Sequence, residues 1–438
     1  MAQSVFEPVD SKVDFPTMES RIQEWWRKND IFRRSVEQRP EENLFSFYEG
    51  PPTANGSPGL HHVISRCFKD IINRYQAMKG KRVPRKGGWD THGLPVELEV
   101  ERALGFNSKR EIEAYGIEAF NRKCRESVQA YVEDWVTMTD RIAFWVDMDD
   151  PYWTYDNEYI ESCWWIIKTL WDKGLVYQDY RSTPHCPRCG TSLSDHELAQ
   201  GYEENTVDPS VFPKFRVLEG ADTLRLGDGV PTFLLAWTTT PWTLPANTAL
   251  AVDSQADYVL VEHEGERLVV AAALLDQVVP DAGEVIARLK GSDLVAARYE
   301  GLYNPEDWGV QARRFENGRL ANANMSDVET RYRVYATDFV SMTDGTGIVH
   351  IAPAFGSEDF EMGKKEGLLF LGTVDLRGNM PAGSPWGEVF VKDADPKITK
   401  DLQERGLVLR AGTVKHTYPF CWRCGTPVLY IAKPTWYI

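Results

Sequence analysis

The chain has 438 residues with 49 Lys plus Arg against 65 Asp plus Glu, a formal charge of −16, and 42% hydrophobic and 12% aromatic residues. That is enough apolar material for two or three domains with sizeable cores, which excludes disorder and collagen-like repetition. The longest apolar run, LVVAAALL at 268–275, is less than half of a bilayer-spanning helix.

Near the start, Glu7, Asp10, Lys12, Asp14 and Glu19 interrupt any stretch that could act as a secretory signal, so a cytoplasmic chain with no membrane partner is expected. LFSFY at 44–48 reads as a short buried strand, closed by Gly50, Pro51, Pro52 and the Asn55-Gly56 pair. A helix follows, with Val63, Ile64, Cys67, Phe68, Ile71, Ile72, Tyr75 and Met78 at three- and four-residue intervals and Gly80 closing it. Strand, glycine-bearing loop and helix is the local plan of a nucleotide-binding α/β unit. KGKRVPRK at 79–86 is a basic contact surface or simply a solvated loop.

A second helix is expected from an Asp156 N-cap to Gly174, its tryptophans belonging to a core. Nine of the 15 tryptophans lie at or before Trp171, whereas residues 200–390 are rich in Val, Thr and Gly with alternating polarity. That shift predicts an α/β part followed by a mainly β part, with strands at LVYQ, TFLLAWTTT, YVLVEHE, RLVVAAAL and TGIVHIAP.

Seven cysteines do not suggest a disulfide framework. HCPRCGT and FCWRCGT place Cys186 with Cys189 and Cys421 with Cys424, each pair in a tight knuckle ended by glycine. Two such knuckles make a four-sulfur Zn²⁺ site. The 231 residues between them far exceed an ordinary ribbon, so a domain inserted between the halves is one interpretation. Unrelated thiols or two redox pairs are the others. His185 and His416 lie nearby but are not needed as ligands, and Cys67, Cys124 and Cys163 read as core.

At the helix entry stands GLHH, with Gly59, His61 and His62. Imidazoles beside free helix N–H groups can donate to phosphate, which would suit ATP; a plain capped helix is the bland alternative. YEGPPTANG at 48–56, this turn, GWDTHGLPVE at 88–97, FWVDMDDPYWTYDNEYIE, both knuckles, AWTTTPWTLPANTAL and GTGIVHIAPAFGSEDF together resemble isoleucyl-tRNA synthetases over nearly the whole chain. Valyl and leucyl enzymes are similar in plan.

The resemblance implies Mg²⁺-ATP-dependent activation of isoleucine and its transfer to tRNA(Ile). Gly50, Pro51 and Asp90 would line the amino-acid pocket, Asp90 holding the α-ammonium, while Gly59, His61 and His62 would face ATP. The family's usual order is His, any residue, Gly, His; here Gly59 replaces the first histidine and His61 replaces the glycine. His61 is expected to take over the phosphate contact. The inserted domain would edit mischarged Val-tRNA, with Trp237, Thr238, Thr239 and Thr240 on a threonine-rich strand, His350 discriminating between amino acids, and Asp359 holding the substrate ammonium.

The expected fold class is α/β: the first half of a Rossmann-like domain, with an inserted barrel-like β domain and a zinc ribbon at its base. The segments are 1–150 (N-terminal helix and half-domain), 151–198 (connective helix and first knuckle), 199–400 (editing domain) and 401–438 (return segment with second knuckle). The lysine-bearing KMSKS-type signature of the family does not occur, so the chain reads as a piece of a longer enzyme and is expected to lack synthetic activity alone. A stand-alone deacylase and a non-catalytic tRNA-binding zinc scaffold are the alternatives.

Overall fold

The computed structural model describes residues 12–224 and 226–438, so Glu7 and Asp10 of the N-terminal reading lie outside the described residues. The chain divides into two compact units, one ending at Lys173 and the other spanning Gly174–Ile438.

The first unit begins with helices α1 (Phe15–Lys28) and α2 (Ile31–Glu37), followed by β1 (Phe47–Tyr48), α3 (Leu60–Met78), β2 (Arg85–Trp89), α4 (Leu94–Leu104), α5 (Lys109–Tyr115), α6 (Ile117–Arg141), β3 (Asp147–Trp153) and α7 (Asn157–Asp172). Its three strands pair in parallel in the order β1-β2-β3. Parallel neighbours require long crossovers, and the helices between successive strands supply them. The glycine pair of β2 permits the close approach of β3. A Cβ at Gly87 would lie 2.4 Å from the Asp147 carbonyl oxygen, and one at Gly88 would lie 2.4 Å from the Tyr152 ring. Trp89, Ala54, Val96, Val128 and Trp135 form the core beside this sheet.

Three expectations fail in this unit. The 44–48 strand shortens to two residues and is not buried: Leu44 and Tyr48 are exposed. Helix α3 has the anticipated bounds but turns its polar face inward. Arg66, Asn73 and Ala77 are buried, whereas Ile64, Phe68, Ile71, Ile72, Tyr75 and Met78 are exposed. The Arg66 guanidinium lies 4.9 Å from the Trp135 ring centre and 5.9 Å from that of Phe144, so cation–π contact compensates the burial that depresses its pKa. Cys67 follows the exposed stripe and is not core, nor is Cys163; Cys124 is half-buried.

The tryptophans of α7 are not core either: Trp164 and Trp165 are each 68% exposed, and no residue of that helix is buried. Periodicity reports that a helix is two-faced but does not say which face its own unit covers. The basic run is largely paired internally, through Arg82–Glu41 at 2.7 Å, Lys86–Asp150 at 2.5 Å and buried Arg85 with Asp70 at 3.7 Å.

The second unit opens on β4 (Tyr177–Cys186) and β5 (Thr191–Ser192), followed by the one-turn helix α8 (Asp195–Leu198) and the 18-residue strand β6 (Tyr202–Glu219). Next come β7 (Thr232–Leu235), β8 (Ala249–Val252), β9 (Asp257–His263), β10 (Glu266–Ala271), short α9 (Leu275–Val278), β11 (Val285–Lys290), short α10 (Gly291–Leu294), β12 (Arg298–Tyr299), β13 (Ala312–Glu316), β14 (Arg319–Asn322), β15 (Arg333–Ala336) and β16 (Ile348–Ile351). The unit ends with α11 (Ser357–Glu366), β17 (Leu369–Leu371), α12 (Val391–Glu404), β18 (Val408–Pro419) and β19 (Leu429–Tyr437).

A ten-stranded mixed sheet runs β11-β9-β10-β7-β6-β12-β15-β8-β16, with β18 joined to β6. Its core is continuous through Phe215, Leu234, Leu250, Leu260, Leu268 and Ile398. Among the described residues its ladder does not close on itself. Strand β18 pairs with β6 from Val408↔Pro213 to Pro419↔Tyr202, so residues 195 to 217 positions apart lie side by side. Antiparallel β19 and β4 make a second ribbon, to which β5 adds a third strand. TFLLAWTTT is a strand only over Thr232–Leu235; Thr238 makes a single bridge to Val211, and Pro241 then starts a 3₁₀ helix to Ala246. Ala236 and Thr238 still donate to the Pro213 and Val211 carbonyls, and Pro241, which has no N–H to give a ladder, marks where the 3₁₀ helix takes over.

Candidate functional site

The second unit gathers the four knuckle cysteines. Gly190 N–H donates to the Cys186 carbonyl (2.9 Å) and Gly425 N–H to that of Cys421 (2.8 Å), each glycine having φ +69°. Left-handed backbone at both positions explains the Cys-x-x-Cys-Gly pattern. The sulfurs lie within 4.8 Å of one another, with Cys186–Cys424 at 3.5 Å and Cys189–Cys424 at 3.6 Å. A tetrahedral ion with Zn–S bonds near 2.3 Å has sulfur–sulfur edges of about 3.8 Å, so the donor set and its spacing fit a metal. Hydrogen bonds among the four sulfurs hold the Cys421 and Cys424 thiols below their usual pKa and those of Cys186 and Cys189 above it, as close thiols sharing protons do; ligation would require all four to give theirs up. His185 bonds the Leu376 carbonyl and Lys433, and His416 bonds Asp208; both histidines are thereby engaged outside the sulfur cluster.

In the first unit the Gly50–Pro52 loop and Asp90 meet at the carboxyl end of the parallel sheet. Asp90 N–H donates to the Pro52 carbonyl (3.1 Å), Ala54 N–H to that of Asp90 (3.1 Å), and the Thr53 hydroxyl to Asp90 Oδ2 (2.8 Å). Ligands of open parallel sheets bind at that end. Gly50 is exposed and Pro51 half-buried. Gly59 is the N-cap of α3, and its N–H donates to His62 Nδ1 at 2.9 Å. With Nδ1 accepting, the hydrogen of the neutral ring sits on Nε2. Burial, then His61 and Arg66, holds the His62 pKa below its usual value. The two imidazoles are 3.7 Å apart, and a Cβ on Gly59 would come within 2.9 Å of His61 Cε1. His61 therefore folds over the space a side chain at position 59 would need. Gly59→His alone is expected to lower the melting temperature by several degrees, and adding His61→Gly to restore it, as measured by thermal unfolding of both variants.

A cleft of about 400 Å³ in the second unit is lined by Thr240, Thr243, His350 and Asp359, with Tyr418 and Tyr430 among its other walls. Hydroxyl contacts run from Thr238 to Thr240 (3.3 Å) and from Thr240 to Thr243 (3.4 Å), and Thr243 Oγ1 lies 2.9 Å from His350 Nε2. Asp359 stands in the first turn of α11; its Oδ2 accepts from Ala352 N–H at 2.8 Å, and burial raises its pKa to about 6. Gly356 must stay bare, since its Cβ would fall 2.6 Å from the Asp359 carboxyl. The arrangement combines a carboxylate suited to an ammonium with neutral groups able to orient water.

Not every anticipated residue shares this cleft. Trp237 donates to Ser210 Oγ (2.9 Å) and lines a separate groove with Arg410, Thr238 is buried behind Thr240, and Thr239 is outside the lining. Sequence reasoning missed Thr243, although residues three apart eclipse in a 3₁₀ helix and TTTPWT held that clue. Tyr418 and Tyr430 arrive from the end of the chain with no local signal.

Burial lowers the His350 pKa to about 4, so the native imidazole is neutral at pH 7. The unfolded chain takes up this proton below about 6.5, so stabilisation is complete above that pH and is lost as pH falls toward 4, by about 3 kcal/mol. His350→Gln is expected to remove that component, visible as a smaller difference between urea unfolding at pH 7 and pH 4.5.

The family model described as tRNA synthetases class I (I, L, M and V) matches residues 21–438. The chain is 51% identical to the isoleucine–tRNA ligase of Dehalococcoides mccartyi strain CBDB1 over 99% of its own length and 43% of that enzyme's. It is 44% identical to that of Clostridium novyi strain NT over 99% of itself and 39% of the relative. It thus spans about two-fifths of the ligases it matches. Among solved structures, GlLeuRS-CP1 overlaps 46% of this chain and 99% of its own at 14% identity and a TM-score of 0.35. On a family match running nearly end to end, the chain belongs to the class I tRNA synthetases of the I, L, M and V group.

Proposed function

We propose that the chain is a portion of an isoleucine–tRNA ligase and that its second unit carries a hydrolytic site for mischarged Val-tRNA. The observation that carries the reading is the convergence of Thr240, His350 and Asp359 on one cleft. An apolar pocket separates isoleucine from valine by only about 1–3 kcal/mol, a figure for which this family is itself the usual illustration, so a second site answers a physical need. Asp359 would hold the valyl ammonium and His350 would gauge the side chain. The threonine hydroxyls would hold a water whose oxygen attacks the ester carbonyl while the ribose oxygen leaves with a proton. No nucleophilic side chain is required.

In the first unit, Gly50, Pro51 and Asp90 would receive isoleucine, and Gly59, His61 and His62 would face ATP with its Mg²⁺; the fold of His61 over Gly59 supports its taking the phosphate role. The segments proposed are 1–150 for the half-domain, 151–198 for the connective helix and first knuckle, 199–400 for a barrel-like editing module, and 401–438 for the return. The pairing of Tyr202 with Pro419 at the foot of β6 and β18 supports a module whose two ends meet, with Zn²⁺ on the four cysteines as its clasp. None of the described helices is long and apolar enough to cross a membrane; it is the likeness to ligases of translation that supports a cytoplasmic location.

Incubating the chain with Val-tRNA(Ile) and Ile-tRNA(Ile) tests the reading. Selective release of valine is expected, whereas equal or absent release would reject the hydrolytic assignment. ATP–pyrophosphate exchange on the same preparation separates a ligase portion from a deacylase, and inactivity in both assays favours a tRNA-binding scaffold.

A further inference from the structure

The 3₁₀ helix Pro241–Ala246 delivers Trp242 and Thr243 to the cleft, and Thr240 is its N-cap. At an ordinary helix start the N-cap hydroxyl turns back onto the N–H of the second or third helical residue. Thr240 makes no such bond; its hydroxyl lies instead between those of Thr238 and Thr243. Pro241 has no N–H, and Thr243 N–H donates to the Thr240 carbonyl at 3.0 Å. The remaining donor, Trp242 N–H, is taken by Asp395 Oδ1 at 2.8 Å, from α12 and 153 positions along the chain.

We propose that Asp395 is a positioning residue of the cleft, capping the 3₁₀ helix from α12 so that the Thr240 hydroxyl is left free to face the ester. Its role in turnover rests on the hydrolytic reading above. One hydroxyl cannot both close a helix end and present its oxygen to substrate, and a second acceptor removes the conflict. Asp395 is placed for this task alone: it is 1% exposed, and its Oδ2 has no partner. Lys392, Asp208 and Tyr418 are the charged and titratable groups around it. Burial lifts its carboxyl to about 8, so asparagine closely imitates the form present at neutral pH.

The test uses Val-tRNA(Ile) deacylation by the whole chain, with a thermal melt on every variant. Asp395→Ala is expected to lower kcat about 10- to 100-fold with KM changed less than about twofold, and Asp395→Asn to retain most of the rate. Adding Thr240→Ala to Asp395→Ala is expected to cost nothing further, because the threonine has already turned back onto the Trp242 amide. Multiplied losses, an Asn variant as damaged as the Ala variant, or an unaffected Ala variant overturns the proposal. Should Asp395→Ala not fold, hydrogen exchange of the Trp242 amide in Thr240→Val still decides: protection equal to the parent's is expected with Asp395 holding that N–H, and lost protection returns the cap to Thr240. If the unmodified chain leaves Val-tRNA(Ile) intact, the hydrolytic reading fails, and the exchange comparison still judges the cap.

Discussion

Asp359→Ala is expected to reduce Val-tRNA(Ile) deacylation by about 100-fold or more while the unit still folds, because a buried ammonium without a counter-charge is expensive. Asp359 is the acidic residue placed between the Ala352 amide and the cleft at the start of α11. Its pH dependence has a definite sign. Burial raises the native pKa to about 6, so the ammonium-binding form is depleted as pH falls below that value, and deacylation should fall with it. Stability runs the other way. The native state holds this proton more tightly than the unfolded chain, so the contribution is full below about 4 and is lost as pH rises through 6.

Asp359→Asn should therefore inactivate the cleft and yet stabilise the protein at pH 7, by about 1–2 kcal/mol once screening by cleft water is allowed for. Deacylation rates and urea midpoints on the same two variants check both halves. An active alanine variant would remove Asp359 from the site, and an asparagine variant less stable than the parent would show that its carboxylate is a structural ligand.

Removing the metal is the second large effect. Cys421→Ser, or a strong chelator, is expected to lower the melting temperature of the second unit by about 10 °C and to abolish binding of one zinc per chain by atomic absorption. The knuckles close a loop of 231 intervening residues, for which cross-link entropy alone is worth about 5 kcal/mol, and a unit of this size moves roughly 2–4 °C per kcal/mol. The β4–β19 and β6–β18 ribbons already draw the ends together, so the lower part of that range applies. A protein that purifies without metal and melts unchanged by chelator would refute the clasp. Cys67→Ser, on the exposed stripe of α3, is the control expected to alter neither reading.

The features legible from the chain were those whose physics is local. The helix between Gly59 and Gly80 has the expected limits because capping and termination depend on neighbouring residues. YVLVEHE and RLVVAAAL form the adjacent antiparallel pair β9 and β10, since alternation reports a strand and the intervening Glu264-Gly265 turn is short. The sulfur pairs were legible because each knuckle needs only a five-residue turn.

What failed or was missed depended on partners far away in sequence. Periodicity makes Cys67 of α3 and the tryptophans of α7 look like core, although no helix carries a record of which face its neighbours will cover. Thr238, Thr239 and Thr240 look equivalent in sequence, but the Pro241 turn gives only Thr240 to the cleft.

By itself the sequence determined the kinds of chemistry present: two thiol knuckles, a glycine and two histidines at a helix entry, a run of hydroxyls, and an acid beside a bare glycine. Tertiary structure alone decided which of these share a space, bringing Thr243, His350, Asp359, Tyr418 and Tyr430 to one cleft and Asp395 to the back of its wall. The reason is one of range: turn and cap preferences act over a few bonds, whereas a cleft is made by strand register and packing that join positions more than a hundred residues apart.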